Sequence, residues 1–435
     1  MDRIPRTPAG VAIERKPAKP RRSRKASGAA EPASVIAIAR EWAWTGQHER
    51  AIDACSAALS AIGLSAPDRL ALLDLRAESH VALGHLDRAD ADAQAMRDIA
   101  AAANSPSCAA IAHNRTALVE MRRGDLEHAV ASAKRALSAA KASRNARLVG
   151  ESLLRLGEAQ SRSRDAKSAT KTGLEAARLF KKLGDDANAG RALWVVANGY
   201  FAQERAAAQL RAAKEALALC ERAGDRYGAG NALNNLAFVE ADIGENIRHL
   251  ARAARAFEAA GYVDRGLAVR ANLGLAYRDL GLHRHAFRLQ HDVFAEATRI
   301  GAKVIATYAL ASAIGEAIDL SDLQWARTHL AQLSERVGRL GDPNMELAVC
   351  GQRGMLARAE GDYPLAARHF REGLAIAKTI GRGAIVLSIS AVQSPAFERP
   401  RNRSAPRSAS ARVRAPSSLR ANRAFHWFIP SARPA

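Results

Sequence analysis

Aromatic residues are scarce, 5% of 435 residues, so the core must close with small and aliphatic side chains. Such a core suits helices better than the β-branched and aromatic faces of sheets. Cysteine is scarce as well. Cys55, Cys108, Cys220 and Cys350 stand far apart with no CxxC spacing, which argues against a disulfide framework or a thiolate zinc site and fits a reducing compartment. Apolar runs such as 35–39 are far shorter than the roughly 18 to 20 residues that span a bilayer, and no apolar signal core follows the basic Arg21 and Arg22. A cytoplasmic location is therefore expected. Also missing are a GxxxxGK(S/T) phosphate loop, a GxSxG elbow and an HExxH zinc pair. The spacing of His283, His285 and His291 does not put all three on one helix face, and no general base accompanies the cysteines. The expectation is a protein without catalytic residues, metal or cofactor, acting by binding.

What the chain does have is charge and repetition. There are 65 Lys and Arg against 44 Asp and Glu, a net charge of +21. Two-thirds of it lies at the ends. Residues 1–33 carry a net +6, including Lys16, Lys19, Arg21, Arg22, Arg24 and Lys25, and residues 394–435 carry +8 with nine Arg, six Pro and no Lys. Both ends read as disordered tails, because proline and like charge deny them a packed core.

Between the tails a helix-turn punctuation recurs at Gly46, Gly84, Gly124, Arg164, Glu204, Gly244, Gly281, Ser321 and Gly361, at intervals of 38, 40, 40, 40, 40, 37, 40 and 40 residues. Side-chain size keeps the same register. Seven residues before each turn stand Ala39, Ala77, Ala117, Gly157, Ala197, Ala237, Gly274, Ile314 and Gly354, and small side chains there let two helices approach closely. A second set of glycines, Gly184, Gly224, Gly261, Gly301, Gly341 and Gly381, marks the other end of each unit. The unit is thus a pair of helices of about 16 to 18 residues. The early arrival of Gly261 predicts that the second helix of its pair is shortened by three residues.

On these residues, best in Ala229–Asn246 and Val269–Phe287, the chain resembles the tetratricopeptide repeat family, in the longer variant of about 40 residues seen in kinesin light chain and bacterial regulators. The likeness covers about 34–390. It departs from the family in lacking the first-helix Trp, the proline near the unit end and, in repeats four and five, the turn Gly. It implies an all-α solenoid, a right-handed superhelix of about nine helix-turn-helix repeats, each in contact with its neighbours and lining a concave groove.

Residues thirteen, ten, six and three before each turn share one stripe of the first helix, and in the resembled family that stripe faces the groove. Here it supplies Arg191, Trp194, Asn198 and Phe201, then Asn231, Asn234 and Phe238, then Arg278, then Tyr308. Asn offers donor and acceptor to a peptide backbone, and the aromatics offer anchors. The plainer alternative is that the aromatics pack on the next repeat and the Asn side chains bond within the array. The family's carboxylate clamp needs cations where Trp194 and Ala268 stand, so chaperone C-terminal tails fit poorly.

The expected function is a protein-interaction scaffold that holds a peptide or partner helix. One alternative is the sensor fragment of a larger bacterial signalling protein of the nucleotide cyclase or transcription regulator type. Another is nucleic-acid or anionic-surface binding through the basic tails. Residues 391–435, rich in Arg, Ser, Pro and Ala where a further helix is due, read as a tail from a shifted frame or truncated gene.

Overall fold

The computed structural model describes residues 32–380 apart from 62, 341 and 342; the two basic tails, and with them Lys16, Lys19, Arg21, Arg22, Arg24 and Lys25, lie outside the described residues. Within them the chain is all α, a row of helical hairpins. The first three pairs are α1 (Pro32–Trp44) with α2 (His48–Leu59), α3 (Ala66–Ala82) with α4 (Leu86–Ala103), and α5 (Pro106–Arg123) with α6 (Leu126–Ala142). Next come α7 (Ala146–Arg162) with α8 (Ala166–Lys182), α9 (Asp186–Ala202) with α10 (Ala206–Arg222), and α11 (Arg226–Val239) with α12 (Ile243–Ala259). The last three are α13 (Val263–Asp279) with α14 (His283–Arg299), α15 (Lys303–Asp319) with α16 (Leu323–Leu340), and α17 (Pro343–Ala359) with α18 (Tyr363–Thr379). No helix among the described residues is long and apolar enough to cross a membrane.

Local chemistry explains where the helices start and stop. Asp125, Asp165, Asp185, Asp225 and Asp362 each accept a hydrogen bond from the backbone N–H three residues on, satisfying a first-turn amide that has no partner within its helix. Ser65 and Ser105 do the same ahead of a proline in the first helical turn. At the hairpin turns the backbone enters the left-handed region. Where the glycine is missing, Arg164 (φ 65°), Glu204 (φ 57°) and Ser321 (φ 65°) adopt that conformation regardless. Repeats four and five therefore lose the turn glycine without losing the turn, at a strain of about 1 kcal/mol each.

The sixth hairpin corrects the sequence register. Gly244 lies inside α12, which keeps its full 17 residues; it is α11 that is short, with 14. Glu240 is extended and Asp242 caps α12, so the three missing residues come out of the last turn of α11 and not out of the second helix. The register of α11 relative to α9 is unaffected, because both helices start at the same place in the repeat, at Arg226 and Asp186.

Packing runs between neighbours, in a chain of small hydrophobic clusters. One of them joins Leu153 and Leu154 of α7, Ala176 and Phe180 of α8, Leu193 and Trp194 of α9 and Leu219 of α10. Gly150 shows how close the approach is, since a Cβ there would sit 2.9 Å from the Phe180 ring. The four cysteines are buried and free, and burial pushes the thiols of Cys55 and Cys220 up to about 11 and about 12, so they act as small core side chains.

Not every contact is between neighbours. The α1–α2 corner touches the α12–α13 corner, closing one circuit of the solenoid. His48, 2% exposed, donates from Nε2 to the Ala260 carbonyl at 3.0 Å, which leaves Nδ1 to accept from the Ser79 hydroxyl at 3.3 Å. Its ring edge meets Tyr262 at 5.4 Å. Gly46, at φ +82°, leaves no room for a side chain, because a Cβ would lie 2.8 Å from the Ala259 carbonyl oxygen.

Gly84 has the same backbone conformation and open space around it, so it isolates the closure. Gly84→Ala should cost about 1 kcal/mol from the left-handed backbone alone, and Gly46→Ala roughly 2 kcal/mol more, with faster hydrogen exchange in α1 and α2. Urea unfolding of both variants checks this, and equal losses would mean that the two corners do not hold the circuit shut.

Candidate functional site

Closing the circuit forms a channel walled by α3, α5, α7, α9, α11 and α13. One chamber, of about 220 Å³, is lined by Asp74 and Glu78 of α3, Arg115 and Arg122 of α5, Glu151 and Glu158 of α7, Arg191 of α9, Tyr227 of α11 and Tyr262. A second, of about 80 Å³, is lined by Glu158 and Arg162 of α7, Trp194 and Asn198 of α9, Asn231 and Asn234 of α11, and Arg265 and Asn272 of α13. A neck of about 10 Å³ between them involves Arg122, Glu158, Arg162, Trp194, Tyr227 and Arg265.

The wall reads out the forty-residue period. Asp74, Asn114, Leu154, Trp194 and Asn234 occupy one stripe position in five successive repeats, and Glu78, Leu118, Glu158 and Asn198 another. The sequence stripe as drawn began at Arg191 and so passed over repeats two to four, where most of the acids and arginines sit. Arg122 and Arg162, both two residues before a turn, were also missed, although their exact 40-residue repetition was available as a signal.

The sequence candidates separate in the structure. Trp194, Asn198, Asn231 and Asn234 all line the smaller chamber. Asn198 accepts from Asn235 Nδ2 at 3.0 Å, Asn234 accepts from Asn272 Nδ2 at 3.0 Å, and Asn231 donates to the Tyr227 carbonyl at 3.0 Å. Asn198 and Asn234 thus keep their own amide N–H groups without a protein partner among the described residues. Trp194 is 7% exposed and belongs equally to the core. Arg191 lines the larger chamber, but its fork is held by Asp225 at 2.6 and 2.9 Å, and Asp225, 2% exposed, also caps α11. Phe201 and Phe238 pair ring to ring at 5.6 Å. Tyr308 is packed with Leu310 and Ile314, and Arg278 lies 3.4 Å from Asp279 and 3.9 Å from Glu316; neither residue lines the two chambers. The three histidines diverge: His283 bonds Glu316 at 2.8 Å, His285 meets Tyr277, and His291 stacks on Phe287.

Low dielectric makes the charges inside consequential. Burial alone would raise Glu78, but Arg115, Arg191 and Arg155 override it and hold the carboxyl down at about 2. Glu151 has the opposite balance. Burial, reinforced by Asp74, pushes it up to about 7 against the pull of Arg147. Arg162 is pushed down to about 9 by burial and by the neighbouring guanidiniums of Arg265 and Arg122, and so stays charged at neutral pH.

No protein-family model matches the chain, and no curated protein matches it. Solved structures do. A Rap protein complexed with competence and sporulation factor is 13% identical over 81% of this chain and 99% of its own, with a TM-score of 0.57. The Rap conjugation gene regulator of plasmid pLS20, in complex with a Phr peptide, is 11% identical over 81% of this chain and 96% of its own, with a TM-score of 0.51. A signal-transduction ATPase with a tetratricopeptide repeat sensor, from Pyrococcus horikoshii, is 14% identical over 80% of this chain and 54% of its own, with a TM-score of 0.50. The chain has a tetratricopeptide-type repeat fold. At such identities the likeness concerns the fold alone.

In this tetratricopeptide solenoid Glu151 gives the channel a pH signature. The folded-state value near 7 lies above that of the unfolded chain, so the stability this group contributes is complete below about pH 4.5 and is lost as pH rises through 7. Glu151→Gln mimics the protonated acid. It should stabilise the protein by about 2 to 3 kcal/mol at pH 8 and by nothing near pH 4.5, read as urea midpoints across that range. A gain independent of pH would place the effect outside Glu151 ionisation.

Proposed function

We propose that this protein is a non-enzymatic peptide receptor of the forty-residue tetratricopeptide type, and that it holds an extended peptide in the closed channel. The observation that carries the reading is the wall of the smaller chamber. Successive repeats place Asn198, Asn231, Asn234 and Asn272 around one space, braced by bonds to one another or to backbone, with amide hydrogens on Asn198 and Asn234 left for a ligand. An extended peptide presents carbonyls and N–H groups along its length, and a row of braced amides pairs with it at little further loss of side-chain freedom. Trp194 beside them offers an apolar face. The Rap regulator in complex with a Phr peptide shows a similar fold used for peptide binding, which supports the reading.

Entrance is the constraint on this receptor. The closure between the two corners encloses the channel, so a peptide threads from an open end or the corners part to admit it. The response to a peptide would then be transmitted as a change in the circuit.

The test is retention of a degenerate octapeptide pool by the full chain on gel filtration, with bound peptides identified by mass spectrometry. A discrete set of peptides should be retained, and Asn198→Ala with Asn234→Ala should cut its retention about tenfold, the loss expected for two hydrogen bonds. Retention of the same peptides by the double variant, or of none by the wild type, would refute the channel as a peptide site.

A further inference from the structure

The neck between the chambers holds more positive charge than its acids can pair. Arg122 lies on α5, Arg162 on α7 and Arg265 on α13, and only the closed circuit brings the last of these to the other two. Arg122, its side chain 10% exposed, reaches Asp264 at 3.3 Å and the Tyr227 hydroxyl at 3.1 Å, yet its Nε is sealed from solvent without an acceptor. The carboxylate of Glu158 is engaged by Arg155. Arg265 has both Nε and Nη2 sealed without an acceptor, while the half-buried Arg162 has no hydrogen-bonded or ion-paired partner among the described residues. A buried guanidinium left unpaired is costly, and several facing one another more so. The depressed Arg162 is the expected consequence of that crowding.

Resting on the peptide reading above, we propose that Arg122, Arg162 and Arg265 form the anchor for a carboxylate of the bound peptide, set at the neck while the asparagines hold the adjoining backbone. The two forks of Arg162 and Arg265 supply planar N–H pairs of the kind that grip a carboxylate from both sides. Size favours a carboxylate over a phosphoryl group. The neck's free volume of about 10 Å³ is about what one water needs, enough for a carboxylate oxygen and little for a tetrahedral dianion. The carboxylate could be the peptide's C-terminus or an Asp or Glu side chain, and the test separates these sources.

Four degenerate octapeptide pools are compared on the full chain: with or without Asp and Glu, each with a free or an amidated C-terminus. Retention of at least one carboxylate-bearing class should exceed that of the acid-free amidated pool about tenfold, and whichever of the two features confers the excess names the source. In Arg162→Gln with Arg265→Gln that ratio should fall to about one. The variant's own melting temperature without ligand should be unchanged or higher, because unpaired charge has been removed; a lower one together with an intact ratio would mean that the arginines serve packing only.

A second arm does not depend on peptides. Succinate at matched ionic strength should raise the wild-type melting temperature by about 2 °C and leave the double variant unmoved. If no pool is retained but succinate acts in this way, the peptide reading fails and the carboxylate site stands. If peptides are retained without regard to acid and succinate does nothing, the reverse holds. A response to inorganic phosphate and not to succinate would overturn the carboxylate in favour of a phosphoryl ligand.

Discussion

Everything inside this molecule depends on two corners meeting. Without the packing of Gly46 and His48 against Ala259–Tyr262, the stripe of each first helix would face an open, hydrated groove, and its acids and arginines would be ordinary surface charges. Closure surrounds them with protein and with one another, and several of the same residues then shift far from their usual ionisation. Glu78 and Glu151, on facing helices of one chamber, move in opposite directions because one is surrounded by arginines and the other by Asp74 and burial. The tertiary contact sets the electrostatics, and the electrostatics determine what the channel can hold.

Asp225 shows how little separation there is between scaffold and site. Its carboxylate accepts from the Gly228 amide, so it starts α11, and it holds Arg191 in the channel wall through two short bonds. One residue thus fixes where a helix begins and where a cation points. The asparagines behave similarly. Asn235 is fully buried and bonds Asn198 across the α9–α11 interface, so the polar wall is part of the packing between repeats. An Asn removed from such a row loosens its neighbour as well, which is why the amides of the channel are braced before any ligand arrives.

Most of the fold was legible because it is local. A helix of 17 residues, a left-handed turn and a small contact side chain recur at a fixed interval, and each is enforced by near neighbours, so the pattern survives even where Arg164 and Glu204 replace the glycine. The shortened α11 was misplaced because a missing helical turn and a displaced turn glycine look alike in the register until the helix ends are seen. The candidate site was legible in part, for the same reason. The stripe that faces the channel follows from helix geometry, and Trp194, Asn198, Asn231 and Asn234 do meet around one space. What the stripe cannot carry is closure. His48 and Ala260 are 212 residues apart, with no local pattern to mark them as a pair, and Arg265 becomes part of the neck only through that contact. Arg191 stood on the same stripe, and nothing in the local pattern marked Asp225, 34 residues on, as its partner.

The closure also bears on why the three residues are missing where they are. Removing three residues takes about 4.5 Å from a helix. The shortening falls on α11, in the hairpin whose far end meets Gly46, and it leaves α12 and α13 at full length. Elsewhere from the second turn onward the repeat is uniform at 40, so the one departure adjoins a place where the solenoid touches itself. A strictly periodic stack follows a helix of fixed pitch and radius, and neighbouring contacts alone do nothing to bring its fifth successor back to its start. The two glycine corners meet in the space that a missing Cβ provides, since a Cβ at Gly46 would lie 2.8 Å from the Ala259 carbonyl oxygen and one at Gly261 2.6 Å from that of Gly46.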